Sequence, residues 1–168
     1  PSISISAPAR LHMGFIDMSG ALGRHFGSIG VGLNEIATRI HLSGSERISI
    51  EGPCAERAQA CLVNFCQKLN VSDALKLQIE TAIPDHVGLG SGTQLALAIG
   101  VAISEYYGLG LSVRQVAALT DRGARSGIGI AVFEQGGLVV DGGRGPHTQT
   151  PPLLSRIQFP DQWRFILV

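Results

Sequence analysis

The sequence predicts an α+β domain: a mixed or antiparallel sheet backed by helices. Two patterns carry that prediction. Apolar residues alternate with polar ones through most of the first fifty positions, the period of half-buried strands. After residue 54 the spacing becomes mostly helical, with short strand patterns between, and the regular strand–helix alternation of a doubly wound sheet is missing. A third observation links the halves. The stretch Pro84-Asp85-His86-Val87-Gly88-Leu89-Gly90-Ser91-Gly92-Thr93-Gln94-Leu95-Ala96 joins an alternating strand to an almost wholly apolar helix.

Ile3, Ile5 and Ala7 alternate with serines and predict a first strand that Pro8 ends. Arg10, His12, Gly14 and Asp17 follow as a polar set among apolar residues. Gly20 to Gly32 holds five glycines with Arg24, His25 and Ser28 among them, and reads as a ligand-facing loop. Ile36, Thr38, Ile40 and Leu42 predict a strand, and Ile48 and Ile50 a second, antiparallel one turned at Ser43-Gly44-Ser45.

Ala58, Leu62, Phe65 and Leu69 share one face of a helix over 55–69. A strand over 74–82 feeds the glycine turn, and a central helix runs from Thr93 to Tyr107. Gly108-Leu109-Gly110 ends it. Ser112 and Gln115 form a capping box for a further helix ending near Asp121. A second glycine-rich turn spans Gly123 to Gly129, and Phe133 to Asp141 reads as a strand pair or bulged strand around Gly136-Gly137. Arg144 to Pro160 holds four prolines and reads as an irregular connection. Trp163 to Val168 reads as the start of another strand. The patterns predict one domain over 1–160 and the start of a second, C-terminal one at 161–168.

Composition excludes several functions. The chain has 168 residues, 45% of them hydrophobic, enough for a real core. Thirteen basic residues balance thirteen acidic ones, so no nucleic-acid surface is expected. No apolar run approaches a membrane span. Cys54, Cys61 and Cys66 lack the spacing of a metal site, and an odd count fits reduced thiols in a cytoplasmic protein.

The chemistry concentrates at the glycine turn. Glycines at 88, 90 and 92 let backbone approach a ligand, and the helix that follows offers unpaired N–H groups with partial positive charge. Gly88, Leu89, Gly90, Ser91, Gly92 and Thr93 thus form a candidate phosphate seat. It is not a Walker A loop, because no Lys-Ser/Thr follows, and not a dinucleotide fingerprint, because the third glycine falls too early.

These motifs resemble the N-terminal domain of the superfamily of galactokinase, homoserine kinase, mevalonate kinase and phosphomevalonate kinase. Pro84 to Ala96 is similar to its phosphate loop, Ala7-Pro8-Ala9-Arg10 to its opening motif, and Gly127 with Gly136-Gly137 to its third region. Where those kinases place a catalytic aspartate, Ser126-Gly127-Ile128-Gly129 has a glycine, and Gly92 replaces a serine. The departures resemble one branch, beta-ribofuranosylaminobenzene 5'-phosphate synthase. The likeness lies in Pro8-Ala9-Arg10-Leu11-His12-Met13-Gly14, Phe26 to Gly30, Arg125 to Gly129, and Gly136 to Gly143.

That resemblance implies transfer from phosphoribosyl pyrophosphate to 4-aminobenzoate or 4-hydroxybenzoate with loss of carbon dioxide and pyrophosphate, toward tetrahydromethanopterin. It implies Arg10, His12 and Arg125 as catalytic, Arg24, His25 and Ser126 as substrate contacts, and Asp17 and Asp141 as candidate ligands of a substrate-borne Mg2+. Asp17 and Asp141 also read as turn caps. His86 orients the loop, and His41 and His147 lie on the surface. No organic cofactor, nucleic acid or membrane partner is expected, and a homodimer is left open. A superfamily kinase using ATP and a non-catalytic phosphometabolite sensor are the competing readings.

Overall fold

The computed structural model describes residues 1–120 and 126–168. Its centre is a long strand, β2 (Phe26–Gly44), which carries partners on both edges. Strand β1 (Ser2–Asp17) pairs antiparallel along one edge from Ser2↔Ser43 to Asp17↔Phe26. On the other edge β4 (Leu75–Thr81) takes the Arg39–Gly44 end and β5 (Leu138–Asp141) takes the Ser28–Val31 end, both antiparallel. Strand β3 (Ser49–Glu51) adds to β4, and β6 (Leu153–Ile157) to β5, closing a six-stranded sheet.

Helix α2 (Ser91–Tyr106) fills the centre, packed against β1 and β2 and against α1 (Ala55–Leu69), α3 (Val113–Ala118) and α4 (Ile128–Gln135). Its nearly all-round apolar surface predicts that position: Leu95, Ile99 and Ile103 are at most 2% exposed. Each such side chain contributes about 1.5–3 kcal/mol by leaving water. They meet Leu62 and Phe65 of α1 and Ile40 and Leu42 of β2 in one cluster.

Helix α1 has the expected bounds, and the capping box at Ser112 and Gln115 is formed. Six sequence expectations are corrected. Strand β1 runs past Pro8 to Asp17, because β1 is an edge strand and a register shift at Pro8/Ala9 absorbs the missing N–H. Phe26 to Gly32 belongs to β2, not to a loop. Strand β3 pairs parallel with β4 and makes no hairpin with β2. Of the strand expected from Phe133 to Asp141, residues 133–135 belong to helix α4 and only Leu138–Asp141 is strand; the proline-rich connection contains β6. Residues 163–168 form no strand among the described residues. The expected helix end near Asp121 and residues 123–125 of the turn over 123–129, Arg125 among them, lie outside the described residues.

Candidate active site

The glycine turn leaves β4 and enters α2 through three left-handed residues, His86 (φ 61°), Gly88 (φ 79°) and Gly90 (φ 82°). Gly90 caps α2 with no side-chain hydrogen bond, so no side chain caps the helix's first N–H groups. Strand β1 holds the turn. The Arg10 backbone N–H donates to the Leu89 carbonyl at 3.0 Å, and Arg10 Nη1 donates to the Gly88 carbonyl at 2.7 Å. A Cβ at Gly90 would stand 3.1 Å from the Arg10 side chain. Burial pulls the Arg10 guanidinium below its usual pKa, yet it remains charged in any ordinary buffer. A fixed cation therefore lies against the bare end of a helix, the kind of arrangement that suits an anion.

Asp85 sits within the same turn. The Ser91 hydroxyl first, then Arg57, draws its carboxyl below the usual range, and Arg57 Nη1 approaches it at 2.8 Å. That pairing offsets a negative charge that would otherwise repel an incoming anion.

A second helix start adjoins the first. Asp141, 1% exposed, accepts from the Gly127 N–H at 2.8 Å and the Ser126 hydroxyl at 3.2 Å through Oδ2, and from the Gly143 N–H at 2.9 Å through Oδ1. It ties the end of β5 to the start of α4. A Cβ at Gly129 would stand 3.1 Å from Thr93 Cγ2, and Gln94 Nε2 donates to the Gly129 carbonyl at 3.1 Å. Thr93 thus crowds the space that an acidic side chain at 129 would need.

His12 lies between these parts. Its pKa is lowered by burial first and by Arg10 second, while Asp141 raises it. The imidazole is neutral at pH 7, and its Nε2 is buried without a hydrogen-bond partner among the described residues. Gln94 Oε1 is likewise buried and unpartnered.

The structure gathers Arg10, His12, residues 88–93, Ser126 and Asp141 into one neighbourhood. Arg24 stands farther along. Its Nε donates to the Gly142 carbonyl at 2.7 Å, and its Nη2 to the Gly143 carbonyl at 3.0 Å and Thr148 Oγ1 at 3.1 Å. His25 forms a backbone bridge to Arg144. Asp17 caps its own turn, accepting from the N–H groups of Ser19, Gly20 and Leu22 and from the Ser19 hydroxyl. Asp17 and Asp141 therefore both act as turn anchors in this structure. Sequence reasoning missed the partnership of Asp85 with Arg57 and the role of Gln94. A buried amide in an otherwise apolar helix is the signal that marks Gln94.

Fold and site together define a class. Residues 56–137 match the family described as GHMP kinases N terminal domain. The fold resembles the Methanococcus jannaschii mevalonate kinase structure, with a TM-score of 0.61 at 14% identity over 83% of this chain and 53% of that one. The chain belongs to the GHMP kinase superfamily as an N-terminal domain.

Within the superfamily it is similar to enzymes that are not named kinases. It is 36% identical to the beta-ribofuranosylphenol 5'-phosphate synthase of Archaeoglobus fulgidus over 98% of this chain and 56% of that protein. The synthase of the same name from Methanocaldococcus jannaschii is 39% identical over 83% of this chain and 46% of that protein. The chain thus spans about half the length of the curated relatives it matches.

Proposed function

We propose that this domain is the N-terminal half of a decarboxylating phosphoribosyl transferase. The full protein would join phosphoribosyl pyrophosphate to 4-hydroxybenzoate or 4-aminobenzoate, as an early step toward tetrahydromethanopterin. The relatives' names specify a phenol product, which favours 4-hydroxybenzoate. The observation that carries the reading is the pairing of Arg10 with the uncapped start of α2, beside a Gly129 that supplies no acid.

The chemistry needs little else. Pyrophosphate leaves the ribose with the electrons of its C–O bond. The ring carbon bearing the carboxylate supplies the pair for the new carbon–carbon bond. The bond to the carboxylate then breaks, carbon dioxide departs, and its electron pair restores the aromatic ring. Negative charge grows on the departing pyrophosphate, where donors fixed beforehand are most effective. Arg10 and the N–H groups at 91–93 are such donors. A phosphoryl transfer to an alcohol would want a base at 129, where Gln94 holds the Gly129 carbonyl and Thr93 Cγ2 stands 3.1 Å from the place of a Cβ.

Magnesium would share the pyrophosphate's charge, carried mainly by the substrate. Among the described residues no group of three or more His, Cys, Asp or Glu gathers to hold a metal, so few protein ligands would contribute. The oxygens of Asp17 and Asp141 are engaged by turn donors, and Asp85 with Ser91 is the half-exposed carboxylate–hydroxyl pair beside the seat.

Thermal melting of the full-length protein tests the reading. Phosphoribosyl pyrophosphate with magnesium at 100 times its Kd contributes about 2.7 kcal/mol, a rise of roughly 5–10 °C, while ATP has little effect. Gly88→Ala places a methyl where nothing lies within 4 Å, in the open mouth of the loop. At its positive φ the variant melts a few degrees lower and loses most of the ligand-dependent rise. A full rise in Gly88→Ala removes the loop from the site. A rise with ATP alone restores the kinase reading.

A further inference from the structure

We propose that the rings of Phe15 and Phe26, with His12 at their inner end, form the seat for the aromatic acid that accepts the ribose. The inference rests on the synthase reading and names the acceptor side of the same site.

Four rings run in a ladder across β1 and β2. His12 and Phe15 have centroids 4.7 Å apart, Phe15 and Phe26 5.4 Å, and Phe26 and His25 6.2 Å. Residues 12 and 15 would point to opposite faces of a regular strand, because side chains alternate. The register shift between His12 and Gly14 adds a residue, and both rings fall on one face. Phe26 is held at φ 73°, a conformation that costs a bulky residue of order 1–3 kcal/mol and that survives where the surroundings enforce it. The chain thus carries two backbone irregularities whose shared result is a row of rings.

The row is open to a ligand. Phe15 is 41% exposed, and Met13, at the register shift beside it, is more than half exposed. Planar aromatic acids stack on such faces, offset or tilted. An apolar rim also favours loss of the carboxylate, because the charge disperses as carbon dioxide leaves. The inner end lies beside the anion seat, since His12 feels both Arg10 and Asp141. His12 Nε2, which has no hydrogen-bond partner among the described residues, marks the polar inner end of the row.

The test is steady-state kinetics of the full-length protein, with carbon dioxide release from carboxyl-labelled 4-hydroxybenzoate as readout. Phe26→Gly removes a ring and suits the left-handed backbone, so it folds; Phe15→Leu removes the central ring. Each raises KM for the benzoate roughly 10-fold or more and leaves KM for phosphoribosyl pyrophosphate within about 3-fold. A benzoate KM unchanged in both folded variants overturns the proposal. If wild-type protein releases no carbon dioxide, the synthase reading fails first. The seat is then decided by ligand-observed NMR with 4-hydroxybenzoate as probe: saturation transfer to its ring protons in wild type and not in Phe26→Gly supports it, and equal or absent transfer in both refutes it.

Discussion

Asp17 shows how a residue that looks catalytic in a sequence can be spent on its own turn. Its carboxylate meets three backbone N–H groups and one hydroxyl, all within five residues. The Leu22 N–H first, then the Ser19 hydroxyl, hold its pKa down to about 2. A carboxyl depressed in the folded state stabilises the fold fully above its unfolded pKa of about 3.9 and loses that contribution as pH falls toward 2. Asp17→Asn is therefore less stable than wild type at pH 6, and the gap closes between about pH 4 and pH 2. Urea unfolding at a series of pH values measures it, and a gap independent of pH contradicts the assignment. Arg10 is the opposite case. Its position after an alanine–proline strand gave no contact partner, yet its guanidinium reaches a carbonyl 78 residues away and defines the site.

At the scale of elements, Asp141 joins β5 to α4. Asp141→Ala strands the Gly127 and Gly143 N–H groups and the Ser126 hydroxyl in a buried place, at a cost of about 2–4 kcal/mol. Urea unfolding checks this, and a loss under 0.5 kcal/mol would show that the contacts are dispensable. Elements with strong periodicity were legible in the sequence: α1, α2, β4 and the Ser112 capping box follow from apolar spacing and cap chemistry. Phe26 to Gly32 was not, because its glycines signal a turn, while pairing with β1 and β5 on both edges holds it extended. Strand β3 misled for a similar reason. Local spacing suggests a hairpin with β2, but β4 takes that edge, and only tertiary pairing reveals it. The glycine turn into α2 was legible from spacing alone; the ring ladder was not, because a register shift brings residues 12 and 15 to one face.

For the whole molecule, a central apolar helix begins at an uncapped glycine turn at the edge of the sheet, and the proposed function uses that start as its anion seat. The domain represents about half the length of its synthase relatives. Its superfamily fold is shared with kinases, so fold alone does not separate phosphoryl transfer from ribosyl transfer. In the proposed function what separates them is the start of α4, where Gly129 lies next to Thr93 and its carbonyl accepts from Gln94. The direct measurement is release of labelled carbon dioxide from carboxyl-labelled 4-hydroxybenzoate and 4-aminobenzoate by the full-length protein, with phosphoribosyl pyrophosphate and magnesium. The account predicts carbon dioxide and pyrophosphate in equal amounts, and at least a 30-fold loss of rate in Arg10→Ala, whose charge faces the departing anion. No carbon dioxide from wild-type protein, together with consumption of ATP in the presence of a small alcohol, would contradict it.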